Sequence, residues 1–337
     1  MIRPFLTAFT LIAIAAPSDA AWHRVSSEHF VIYADQDPGS LRHFAENLEK
    51  FDGAVRAIRK MGDLPLSNGN RLTIFSLRDV KDIQRLAGDE SGFVEGFYRG
   101  QASGSVAYIP QVTIAAKNHR SATGSHLNGE FETPPDMTGT VVLLHEYSHH
   151  LMMQDLDRPY PEWLVEGFAE FMSTAQFERD GSVGLGLPAG HRYGGLQYGA
   201  QLPLEKLLAG RYDGISGEER ESIYGQSWLL SHYLTFEPSR KGQLGAYVIA
   251  LTNGANALDA ARQAFGDLGK LDRDLTEYLH RSQLPYLKVS GAALNFTPVE
   301  VTQLSPGGAA IAPLLAEVRN GAKPGEAEAM AAPPGLS

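Results

Sequence analysis

The chain has 337 residues, with 29 Lys plus Arg against 39 Asp plus Glu, a formal net charge of -10 and no cysteine. Without cysteine there are no disulfide frameworks, iron–sulfur clusters, Cys-ligated zinc sites or thiol nucleophiles, so any metal must be held by His, Asp or Glu. An acidic chain of pI near 5.6 is repelled by phosphate backbones and anionic lipid, which argues against nucleic acid and polybasic membrane docking as partners.

Residues 1–20, MIRPFLTAFTLIAIAAPSDA, place one basic residue, Arg3, before an apolar run from Phe5 to Ala16. This pattern predicts a signal peptide with cleavage after Ala20. The run is shorter than the ~20 residues a spanning helix needs, so an exported protein, periplasmic or secreted, with no stable membrane span is expected. Arg3 and Asp19 would leave together, so the charge of -10 stays with the mature chain.

The segment HFVIYAD, 29–35, predicts a strand. Leu41, Phe44, Ala45, Leu48, Phe51, Ala54, Val55 and Ile58 then recur at helical spacing. After an Asn68-Gly69 turn, 71–77 predicts a second strand, and KDIQRLAG a short helix. Residues 91–115, rich in Gly and aromatics, predict two strands joined by a glycine-rich turn, and 118–136 a loop. Helices are expected over 138–154, 161–177, 203–209, 221–236, 239–252, 256–265 and 270–282, with a turn at Asp180-Gly181.

The expected fold class is therefore α+β: a small mixed α/β N-terminal layer with a sheet over 21–136, then a mainly helical part over 137–295. A tail over 296–337 contains one helix, opened by Ser305 and Pro306, and ends in a stretch of disordered composition.

Within VVLLHEYSHHLMM, His145 and His149 lie four residues apart and share a helical face, with Glu146 beside them. Such a pair can meet one zinc ion while the glutamate reaches a bound water. A third ligand leaves one position open. The spacing that would supply a third histidine fails, because Met152 and Asp155 stand where Gly and His are wanted. A glutamate from the next helix fits: WLVEGFAEF, 163–171, places Glu166 and Glu170 one turn apart, with Gly167 small enough for close helix approach. Glu166 is the expected third ligand, and Glu170 the carboxylate that orients a ligand histidine through its other ring N–H. His150 is read as a surface or ligand-orienting residue, Trp163 and Phe168 as packing, and His191, His232 and Tyr198 as structural side chains with a cleft-lining role as the alternative.

HEYSH followed by WLVEGFAEF resembles the gluzincin metallopeptidases, and among them the peptidase-MA-like families of exported bacterial proteins. The resemblance covers roughly residues 22–290 and is strongest over 140–171. It implies a zincin-type catalytic half, one Zn2+ on His145, His149 and Glu166, Glu146 as general base, and a peptide or protein substrate. Aminopeptidases of the clan also carry an oxyanion-binding tyrosine on a later helix, which Tyr224 in SIYGQSWLLSHYL matches, 58 positions after Glu166. Their GxMEN-type segment has no counterpart; the nearest string is Gly129-Glu130-Phe131-Glu132-Thr133. An endopeptidase is favoured, with an exopeptidase and a catalytically inactive envelope binding module as alternatives. The edge strand in 91–115 would align an extended peptide by strand addition.

Overall fold

A computed structural model describes residues 21–321 except 63–70, 90–91, 93, 95, 102–103, 112–138, 154–159, 211 and 213. The expected signal peptide, the Asn68-Gly69 turn, the 118–136 loop and the end of the tail lie outside the described residues.

The first layer runs β1 (Trp22–Ser26), β2 (Phe30–Asp35), α1 (Pro38–Arg59), β3 (Leu72–Leu77), α2 (Val80–Ala87), β4 (Phe97–Arg99) and β5 (Val106–Pro110). Helix α1 starts where the Asp37 carboxylate accepts the Ser40 N–H at 2.8 Å, with Pro38 in its first turn. Strands β2, β3 and β5 are parallel, whereas β4 pairs antiparallel with β5 and β1 with β2. Alternation decides the faces. Leu72, Ile74, Ala107 and Ile109 point to the core shared with α1, while Phe75, Leu77, Val106 and Tyr108 point to a smaller core with Ile83 and Leu86 of α2.

The helical part comprises α3 (Gly139–Met153), α4 (Glu162–Ser173), β6 (Gln176–Phe177), β7 (Val183–Leu185), α5 (Tyr193–Tyr198), α6 (Leu204–Ala209), α7 (Gly217–Phe236), α8 (Gln243–Thr252), α9 (Ala257–Phe265), α10 (Leu268–Leu279) and β8 (Leu287–Val289). Helix α4 stops four residues before its expected end. The Ser173 and Thr174 hydroxyls donate to the carbonyls of Glu170 and Phe171 at 2.9 and 2.8 Å, local bonds that compete with helix continuation, and 176–177 joins a three-stranded sheet, β6-β7-β8. Helix α7 starts four residues earlier than expected, because Ser216 and Glu219 form a reciprocal capping box.

The expected tail is an integral part of the first layer. Strand β9 (Glu300–Gln303) pairs antiparallel with β1, giving the sheet order β4-β5-β3-β2-β1-β9. Helix α11 (Pro306–Arg319), capped by Ser305, then crosses the α2 face of the sheet. There Tyr108 Oη donates to the Ala316 carbonyl at 2.8 Å, Asn320 bonds the Leu86 carbonyl, and Arg85 pairs with Glu317. The molecule is α+β, as its sequence pattern indicates, and no described helix is long and apolar enough to cross a membrane.

Behind α3 the two parts are joined by a buried polar network. Tyr147 Oη donates to Asp52 Oδ1 at 2.5 Å, Arg56 Nε to Asp52 Oδ2 at 2.7 Å, and His29 Nδ1 lies 2.7 Å from Glu49 Oε2. Asp52, Arg56 and Glu49 are all under a tenth exposed. Burying these charges is tolerable only because each has a partner, and the arrangement fixes α3 against α1 in rotation as well as in depth.

Candidate metal centre

Helix α3 is apolar almost all round, with Val142, Leu143, Leu144, Tyr147 and Leu151 in the core. Its least buried strip carries His145, Glu146 and His149. The Nε2 atoms of His145 and His149 are 3.0 Å apart, and Glu166 Oε2 lies 3.3 Å from the first and 3.5 Å from the second. These three residues are the group among the described residues whose donor atoms converge as metal ligands do. Tetrahedral coordination at bond lengths of ~2.0–2.1 Å sets donors about 3.3 Å apart, so the triangle fits zinc without rearrangement. Glu166 Oε2 is buried and makes no hydrogen bond, and an oxygen left so by the protein is accounted for if it faces a cation.

The ligand face is backed by Glu170, which is 1% exposed. Its Oε1 lies 3.2 Å from His145 Nδ1 and 2.6 Å from Arg192 Nη2, and its Oε2 lies 2.9 Å from His191 Nε2. Burial alone would raise the Glu170 carboxyl, but hydrogen bonds from His145 and His191 hold it well below the usual carboxylate range. An ionised Glu170 holds a proton on His145 Nδ1, so the proton displaced by a bound cation would be the one on Nε2, which faces the other two donors.

Tyr224, on α7, sets its ring 6.1 Å from the His145 ring, centroid to centroid, and beneath the Arg192 guanidinium at 4.6 Å. Burial, then the Glu166 charge, pushes its phenol up, so it remains a donor. On the other side, β4 is the edge of the sheet among the described residues, and the Tyr98 backbone faces Glu146. Burial raises the Glu146 carboxyl above its ordinary value, against the pull of His145 and His149.

The structure thus brings His145, Glu146, His149, Glu166, Glu170 and Tyr224 into one site. His150 is not at the surface: it is 6% exposed, stacks on Tyr147 with centroids 5.5 Å apart, and lies 3.0 Å from Tyr98 Oη. Burial lowers it to about 4, so it is a neutral packing residue. His232 is fully buried against Tyr278 and the Gly186 carbonyl, and Tyr198 is 86% exposed. Trp163 is in the core, donating to Tyr247 Oη, and Phe168 packs under Arg59. His191, by contrast, belongs to the site through Glu170. Sequence reasoning missed Arg192 altogether. The usable signal was Glu170 itself, a carboxylate on the buried side of α4 that had to find donors elsewhere in the chain.

No protein-family model matches the chain, and no curated protein matches it.

Metal affinity at this site should depend on pH. Burial opposes charge on His145, but the adjacent carboxylates of Glu166 and then Glu170 outweigh it and lift the imidazole to about 10. A ligand histidine must be unprotonated, so binding of a divalent cation displaces a proton below that value. Zinc affinity measured by competition with a chelator is expected to rise about tenfold per pH unit between roughly pH 6 and 8, a one-proton slope. A flat profile would contradict the His145 assignment.

Proposed function

We propose that this chain is an exported zinc metallopeptidase of gluzincin type that cleaves internal peptide bonds of a peptide or protein substrate. The observation that carries this reading is the triangle of His145 Nε2, His149 Nε2 and Glu166 Oε2, with sides of 3.0, 3.3 and 3.5 Å, flanked by Glu146. When bound there, zinc supplies Lewis acidity, lowering the pKa of water towards ~7 and polarising a carbonyl.

The protein's own groups divide the remaining work. Glu146 accepts a proton from the attacking water and returns it to the leaving amine, a role suited to a carboxyl whose affinity for protons is raised by burial. Glu170 keeps the His145 proton on Nδ1. Tyr224 donates its phenolic proton as a hydrogen bond to the oxyanion that develops on the scissile carbonyl, a contact of a kind commonly worth about 10²–10³ in kcat. Among the described residues β4 pairs on one side only, and such an edge could align an extended peptide by strand addition, while the lack of a GxMEN-type segment favours internal cleavage.

The test combines metal analysis with cleavage of a peptide library blocked at both ends. About one zinc per chain is expected in the wild type, consistent with a single three-ligand site, and His145→Ala should lose both metal and cleavage. Wild-type cleavage by metal-depleted protein would refute the proposal, and cleavage confined to peptides with free N-termini would replace the endopeptidase reading with an exopeptidase.

A further inference from the structure

We infer that Arg192 is a positioning residue that holds the Tyr224 phenol over the ligand face, an inference that rests on the peptidase reading above. Arg192 ends the short turn Gly190–Arg192. Its guanidinium makes three contacts at once. Nη2 donates to Glu170 Oε1 at 2.6 Å, Nη1 donates to Glu221 Oε2 at 2.8 Å, and the planar face covers the Tyr224 ring at 4.6 Å.

The partners lie on different helices. Glu170 is on α4, one turn beyond Glu166, and Glu221 and Tyr224 are three residues apart on one face of α7. One guanidinium therefore ties the helix of the third ligand to the helix of the tyrosine. A planar fork with two fixed donor directions suits this task, whereas an ammonium offers a point charge with no preferred plane. The cation over the ring adds attraction that fixes the ring's height and tilt.

The backbone reinforces the placement. Gly225, next to Tyr224, has no Cβ, and one built there would lie 2.8 Å from Leu196 Cγ and 3.6 Å from Arg192 Cβ. The segment bearing Arg192 is thus seated on α7 at the tyrosine itself. Arg192 is also poorly suited to receive a substrate carboxylate, because both terminal nitrogens are already engaged by Glu170 and Glu221 and the side chain is only 11% exposed.

A double-mutant cycle on the zinc-loaded protein tests the assignment. Arg192→Met should lower kcat about 100-fold, the scale of a reacting group displaced by ~1 Å, with KM and zinc content within about threefold of wild type. The double variant Arg192→Met/Tyr224→Phe should be no slower than Tyr224→Phe alone, since a residue that acts through the tyrosine has nothing left to position. Calorimetric titration with a phosphinic peptide, a tetrahedral analogue of the attacked carbonyl, should show the same non-additivity in affinity without any turnover. If Arg192→Met fails to fold, Arg192→Lys replaces it in the same cycle. Wild-type kcat in the Arg192 variant, or losses that add fully in the double variant, would overturn the assignment. Failure of the peptidase reading would show separately, as no cleavage of any blocked or unblocked peptide by the zinc-loaded wild type.

Discussion

Glu146→Gln is expected to retain its zinc and to lose about 10²–10⁴ in kcat, the range for a general acid–base group. The substitution keeps the size and shape of the side chain and removes only the proton-accepting charge. Zinc is retained because the three converging donors are His145, His149 and Glu166, and Glu146 is not one of them. KM should change little, since loss of a proton acceptor acts on the chemical step rather than on substrate binding. Initial rates on a fluorogenic blocked peptide, at matched zinc stoichiometry, make the comparison. Activity within a few-fold of wild type would remove Glu146 from the mechanism.

A second large effect is expected at a residue that touches neither metal nor substrate. Gly167 lies where α4 crosses α7, and a Cβ there would sit 2.3 Å from Ser231 Oγ and 2.4 Å from the Ser227 carbonyl oxygen. The serine hydroxyl can rotate away, but the carbonyl belongs to a helix backbone and cannot. Two effects of opposite sign compete in Gly167→Ala. Alanine favours the helix by up to ~1 kcal/mol over glycine, while forced separation of packed helices commonly costs 1–3 kcal/mol, and occasionally more. With two contacts below 2.5 Å the steric term should win. The melting temperature should fall by several degrees, and zinc affinity should fall with it, because Glu166 and Glu170 flank the displaced segment. A melting temperature at or above wild type would show that propensity wins instead.

Much of this site was legible in the sequence because its signals are local. His145 and His149 four apart, Glu166 and Glu170 four apart, and a glycine between the two glutamates define two helix faces before any tertiary structure is known. The α1 stripe was legible for the same reason. What escaped were short elements and side chains whose place is set by a distant partner, Tyr224 excepted, which came from the resemblance. Strand β1 has Val25 as its one aliphatic residue, and it exists because β2 and β9 flank it. Strands β6, β7 and β8 have two or three residues each, too few for a period to register. Arg192 sits in a glycine-rich run with no periodicity, and its role is set by carboxylates 22 positions before and 29 positions after it. The Asp52 and Arg56 pair carried a weak local signal, two charges four apart on the buried side of α1, but nothing in the sequence pointed to Tyr147.

The pairing of β1 with β9 joins residues about 280 positions apart, His23 with Gln303. A polypeptide emerges in order, so β1, the first strand among the described residues, must wait for β9, the last of them, before its outer hydrogen-bonding edge is covered. Until then the layer that carries β4 presents a bare strand on one side and, without α11, an open aromatic surface of Phe75 and Tyr108, the kind of edge that invites pairing with a foreign chain. Formation of the sheet that carries β4 therefore needs residues 300–303 as well as 22–26: a fragment that stops before β9 can contain all of α3 and α4 and still leave the outer edge of β1 uncovered.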